Sequence, residues 1–89
     1  MDRQLVRVYK TKRRAEMYLY VIKAKGLTDV PAALLEQFGE PELVFDFLLT
    51  PDRKLALVNG ERVLEEIARQ GFYLQMPPNN DAQSQEPEL

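Results

Sequence analysis

Asp46 interrupts the apolar run LVFDFLL, and Glu42 stands four residues before it, on the same face of an extended strand. Two carboxylates so placed could hold a divalent cation and support metal-assisted hydrolysis. Burial of Asp46 beside the core would raise its pKa and suit it to proton transfer. A second candidate lies in VRVYKTKRRAEMYLYV, residues 6–21, where Lys10, Lys12, Arg13 and Arg14 sit between two runs rich in Val and Tyr. Cations of this kind neutralise phosphates, and Tyr9, Tyr18 or Tyr20 could stack on bases. A third is YLQMPP: Tyr73 and Gln75 share one strand face, and Pro77 and Pro78 end the strand rigidly, which suits contact with a peptide or protein.

Each candidate has a plainer reading. Asp46 can face solvent at a sheet edge or accept hydrogen bonds from backbone or Tyr. Lysines on a hairpin keep edge strands from pairing with neighbours. Tyrosines that alternate with core residues can bury their rings under a helix. A proline pair can simply terminate a strand. For each of the three the plainer reading is preferred.

The remaining inventory is poor for catalysis. Histidine and cysteine are absent, so the usual nucleophile-and-base pairs and sulfur-ligated metals cannot be built. Ser84 is the sole serine, and Thr11, Thr28 and Thr50 fall at turns or strand ends. Gly26, Gly39, Gly60 and Gly71 are isolated, so there is no phosphate-cradling loop. The expectation is a protein that is not an enzyme and carries no metal or cofactor.

Charge is unevenly placed. Residues 1–25 carry eight cations against Asp2 and Glu16, a net of +6, while the rest carries four cations and twelve carboxylates, a net of −8. The overall net of −2 and pI of about 5.1 lie below what a typical nucleic-acid domain shows. MDRQLVRVYK has no apolar signal-peptide core, and no apolar stretch approaches the roughly 20 residues that span a bilayer. A soluble, cytoplasmic, bacterial-style chain is expected.

Certain elements must position these groups. QLVRVYK (4–10) and EMYLYVIK (16–23) read as strands of a hairpin. In the second, Met17, Leu19 and Val21 oppose Tyr18, Tyr20 and Ile22, so both faces ask for cover, as in a sheet with a helix on each side. LTDVPAALLEQFGEP reads as a helix entered at Thr28 or Asp29, with Leu34, Leu35 and Phe38 inward and a stop at Gly39–Pro41. PELVFDFLLTPD reads as a strand, central because both faces are apolar, and LALV (55–58) as a short one. NGERVLEEIARQGF reads as a second helix with Asn59 as N-cap, Gly71 as stop, and Val63, Leu64, Ile67 and Ala68 buried. Its outer face pairs Arg62 with Glu66 and Glu65 with Arg69. FYLQM (72–76) is the last strand.

The order ββαββαβ defines an α+β domain with a mainly antiparallel sheet and two main helices over residues 1–76. PPNNDAQSQEPEL (77–89) reads as a Pro-rich acidic disordered tail. A chain this short buries only about 60% of its unfolded surface, so its stability is expected near the lower end of the usual range.

The segments MYLYV, FGEPEL and above all QGFYLQMPP (70–78) resemble the YcgL family of small bacterial proteins, in order and at similar spacing over residues 5–78. The resemblance implies a compact α/β/α sandwich. It supplies no established activity, catalytic residue or cofactor. It also implies a link to RNA metabolism, since genes of this kind are found beside one for ribonuclease D.

The expectation is therefore a non-enzymatic binding or adaptor domain whose partner is a protein or an RNA–protein complex. The alternative is direct nucleic-acid binding through hairpin 9–25, using Lys10, Lys12, Arg13, Arg14, Tyr18 and Tyr20. Tyr73, Gln75, Pro77 and Pro78 are the candidate partner contacts. No membrane is expected.

Overall fold

The chain forms β1 (Gln4–Lys10), β2 (Tyr18–Ile22), α1 (Ala32–Phe38), β3 (Glu42–Leu49), α2 (Gly60–Gln70) and β4 (Phe72–Gln75). The computed structural model describes residues 3–14, 16–55 and 58–76. The strands make one antiparallel sheet in the order β3-β1-β2-β4. The strand expected at 55–58 falls partly outside the described residues, and a single bridge between Lys54 and Asn59 marks that segment. The expected tail, with Pro77 and Pro78, also lies outside them.

The alternation in β2 builds two cores. Met17, Leu19 and Val21 are buried with Val30 and Phe38 against α1, which adds Leu34 and Leu35. On the opposite face Tyr20 joins Val6, Val8 and Leu49 beneath Val63, Leu64 and Ile67 of α2. The α+β reading and the helix-on-each-face sandwich therefore both hold.

Helix α2 has the expected ends. The Asn59 side chain accepts a hydrogen bond from the Arg62 N–H at 2.9 Å, and Gly71 takes the left-handed conformation at φ 93°. Arg62 meets Glu66 at 3.5 Å as expected. Arg69, however, pairs with Glu66 rather than Glu65. Glu66 is thus shared by two arginines, three and four positions away, the spacings that adjoin on a helix surface.

Helix α1 is shorter than its sequence suggests. It starts at Ala32, after Pro31 in an extended conformation (ψ 143°), with no side-chain cap. Thr28 and Asp29 lie in the preceding turns, where Asp29 meets Lys25 at 3.5 Å. Pro31 holds Val30 out of the helical region, so the helix cannot begin earlier.

Strand β3 is not central. Among the described residues it hydrogen-bonds β1 alone and forms the edge of the sheet, so Leu43, Val44, Phe45 and Leu48 meet water, while Phe47 and Leu49 pack into the α2-side core. A register shift between Val8 and Tyr9 makes a β-bulge: Phe45 opposes Val8, but Leu43 opposes Tyr9.

Candidate functional site

The basic hairpin is partly committed to structure. One Arg13 Nη1 donates to the carbonyl of Glu36 at 3.1 Å and to that of Gln37 at 3.5 Å. The Arg13 backbone N–H donates to Thr11 Oγ1 at 3.1 Å, and the Thr11 hydroxyl donates to the Phe38 carbonyl. The hairpin turn thus satisfies the open carbonyls at the end of α1 and places a cation at its negative pole. Lys12 pairs with Glu42 at 3.1 Å, while Lys10 and Arg14 are exposed. Arg13→Ala should lower unfolding stability in urea by about 1 kcal/mol, whereas Arg14→Ala should change it by less than about 0.5 kcal/mol.

The tyrosines do not form an open stacking platform. Tyr20 is buried, its hydroxyl donates to Gln75 Oε1 at 3.2 Å, and its ring meets Tyr73 edge-on at 5.8 Å. Burial pushes the Tyr20 hydroxyl pKa up, with Tyr73 and Tyr18 adding to the effect. Tyr18 and Tyr73 pack at the margin of the α2-side core, and Tyr9 at that of the α1-side core. Gln75, expected at the surface beside Tyr73, is buried. The physical reason is that β4 pairs with β2, so Tyr73 faces Tyr20 and Gln75 faces Tyr18 under α2.

Asp46 is exposed enough to remain wet, but it has two partners. Arg7 Nε and Nη2 grip its two oxygens at 2.8 and 3.1 Å, and Lys23 Nζ lies at 3.4 Å. The Arg7 hydrogen bonds hold the Asp46 carboxyl below the usual carboxylate range, overcoming the upward push of burial. This is opposite to the rise that burial alone would give. The bulge also separates the carboxylates: Asp46 opposes Arg7, while Glu42 opposes Lys10 on the other side of the sheet. Among the described residues no group of three or more acidic side chains is placed to hold a metal ion.

A depressed carboxylate pKa stabilises the fold above the unfolded value near 3.8, and that contribution is lost as pH falls through the folded value. Asp46→Asn should therefore be less stable than the parent at neutral pH and should show a flatter acid limb below about pH 4. Thermal melts between pH 2 and 7 would check this.

The most conspicuous surface feature was not named from the sequence. Leu5 on β1 and Leu43, Val44, Phe45 and Leu48 on β3 are all exposed. Leu5 opposes Leu48 on the side of Arg7 and Asp46, whereas Phe45 lies with Val8 on the α2 side, stacked on Phe47 at 5.3 Å. Arg53 covers the Phe47 ring at 4.9 Å, leaving Phe45 open. The two-faced apolar pattern of LVFDFLL was the available signal. What it lacked was the strand order.

A short antiparallel sheet held between two helices, with one apolar edge open, places the chain in the class of small α+β sandwich domains. Residues 6–78 match the family model described as the YcgL domain, and the chain belongs to the YcgL family. It is 53% identical over 79 residues to a YcgL domain-containing protein of Pseudomonas aeruginosa, covering 89% of this chain and 81% of that one. A YcgL domain-containing protein of Chromohalobacter salexigens is 50% identical over 82 residues, covering 92% and 85%. Another, from Pseudomonas putida, is 51% identical over 79 residues, covering 89% and 81%.

Proposed function

We propose that this chain is a non-enzymatic binding domain that engages a protein, alone or within an RNA–protein complex, through the open apolar edge of β1 and β3. The observation that carries this reading is the exposure of five large apolar side chains on that edge, at 42–55% each. Exposed leucines scattered singly need no explanation, but five large apolar side chains gathered on two neighbouring strands at one edge of the sheet favour an interaction surface. Burying such side chains fully contributes about 1.5–3 kcal/mol each, so even partial cover by a partner is a substantial driving force.

The test is capture on the immobilised protein from nuclease-treated cell extract, comparing the parent with Leu43→Lys/Phe45→Lys. Both positions are about half exposed, so the melting temperature should move by only a few degrees. The reading predicts a protein captured by the parent and lost with the double variant. Capture that is unchanged by the variant, or no capture at all, contradicts it.

Direct nucleic-acid binding is the second reading, favoured by the +6 net charge of residues 1–25. Lys10 and Arg14 would be its contacts, since Arg13 closes α1 and Lys12 pairs with Glu42. It predicts affinity for single-stranded RNA that falls steeply with salt and is lost in Lys10→Glu/Arg14→Glu.

A further inference from the structure

We infer that the occupant of this edge is an extended, acidic and apolar peptide segment of the partner, added to β3 as a fifth strand of the sheet. This rests on the reading of β3 as a protein-binding edge and specifies the mode and chemistry of binding. Three observations on the molecule lead to it.

The first is that the exposed apolar groups lie on both sides of one strand. Leu48 and its cross-strand neighbour Leu5 share the side of Asp46, while Phe45 lies with Val8 on the side of α2. A helix or a flat protein surface laid on one face would leave the other exposed. A strand added in the plane of the sheet reaches both, because its side chains alternate. Strand β3 runs for eight residues; its alternate backbone groups that do not bond β1 face the open edge and supply such a ladder.

The second is area. Five side chains at about half exposure present on the order of 500 Å² of apolar surface. A standard interface between folded proteins covers about 800 Å² on each partner. The edge is therefore small for a second globular copy of the chain. Strand addition suits it better, because main-chain hydrogen bonds then share the binding with a few side-chain contacts.

The third is charge. Among the described residues three charged groups border the edge, and cations outnumber carboxylates in the two at its middle and end. At the start of β3, Lys10, Lys12 and Arg13 are balanced by Glu36, Glu40 and Glu42. At its middle, Arg7 and Lys23 hold Asp46. Just beyond its end, Arg53 and Lys54 accompany Asp52. An apolar segment that brings Asp or Glu beside the middle and end of β3 complements this field, and one that brings Lys or Arg there is repelled by it.

The probe is a nine-residue peptide with alternating valine and threonine at its centre and two glutamates at each end, titrated into the ¹⁵N-labelled full chain at low salt. Two further peptides differ in one respect each: lysines replace the glutamates, or the central valines are N-methylated. Strand addition predicts amide shifts concentrated in residues 42–49, at least tenfold weaker binding for the lysine-ended peptide, and loss of binding on N-methylation. Binding that survives N-methylation overturns the strand mode. Equal affinity for both end charges overturns the acidic specificity. Concentration-dependent shifts in 42–49 without peptide, with slowed diffusion, would assign the edge to a second copy and overturn the proposal. No shifts with any peptide at millimolar concentration would also overturn it. These outcomes leave the broader protein-binding reading to the capture experiment, where the Leu43→Lys/Phe45→Lys comparison decides it separately.

Discussion

Phe38→Ala should cost the fold about 3–5 kcal/mol, the usual penalty for emptying a fully buried phenylalanine site. Phe38 is completely buried and is the one buried residue of α1. That helix has only seven residues, far below the roughly 12–15 that make an isolated helix marginal in water. Its existence therefore depends on packing, and Phe38 is the side chain that seats it against Met17, Leu19, Val21 and Val30. The Phe38 carbonyl also receives the Thr11 hydroxyl, so disturbance here spreads into the hairpin turn. For a domain of this size the loss corresponds to a fall of at least about 12 °C in melting temperature. Urea unfolding followed by circular dichroism would measure it. A loss below about 1 kcal/mol would show that α1 is held by something other than Phe38.

Gly60→Ala is the second large effect, and its sign opposes helix propensity. Alanine for glycine within a helix ordinarily stabilises by about 1 kcal/mol. Here a Cβ on Gly60 would stand 2.0 Å from the Thr50 carbonyl oxygen and 3.2 Å from that of Arg53. Both are backbone atoms, so no side chain can swing away. The approach is close because the turn after β3 satisfies the first N–H groups of α2: Gly60 donates to Arg53 at 2.7 Å and Glu61 to Pro51 at 3.1 Å. Admitting a methyl group means parting the turn from the helix, and about 2–3 kcal/mol of destabilisation is expected. Stabilisation by Gly60→Ala would refute the close docking of this turn on α2.

Much of this architecture was legible because it is local. The alternation of Met17, Leu19 and Val21 against Tyr18, Tyr20 and Ile22 assigned residues correctly to two cores. Asn59 and Gly71 marked the ends of α2 because each supplies its own capping geometry. The quantities that were not legible depend on distant parts of the chain. Periodicity says which way a side chain points, but not which strands lie beside it, so LVFDFLL read as central when it is an edge. The bulge that sends Leu43 to the opposite side from Phe45 is a property of the β1–β3 pair and has no signature in either strand. Arg13 read as a surface cation because its carbonyl partners, at Glu36 and Gln37, lie more than twenty residues away. Asp46 sits at a sheet edge as its plainer reading had it, but the donors expected there, backbone or Tyr, are replaced by Arg7 and Lys23, which only strand pairing brings to it.

The same nonlocality explains why the interaction surface emerged only from the fold. An apolar residue in a central strand is core, and the same residue on an open edge is available to a partner. The basic turn changed meaning in the opposite direction. Among the described residues, Lys12 and Arg13 of its four candidate cations have structural partners, and the aromatic groups beside them are packed under helices or at core margins.

The central claim, that the β1–β3 edge receives a protein, is tested most directly by placing a photoactivatable phenylalanine analogue at position 45 and irradiating living cells. The same analogue at position 62, on the outer face of α2, serves as the control. A discrete protein adduct from position 45 that resists nuclease and is absent from position 62 is the predicted result. No adduct at position 45 above that control would contradict the claim.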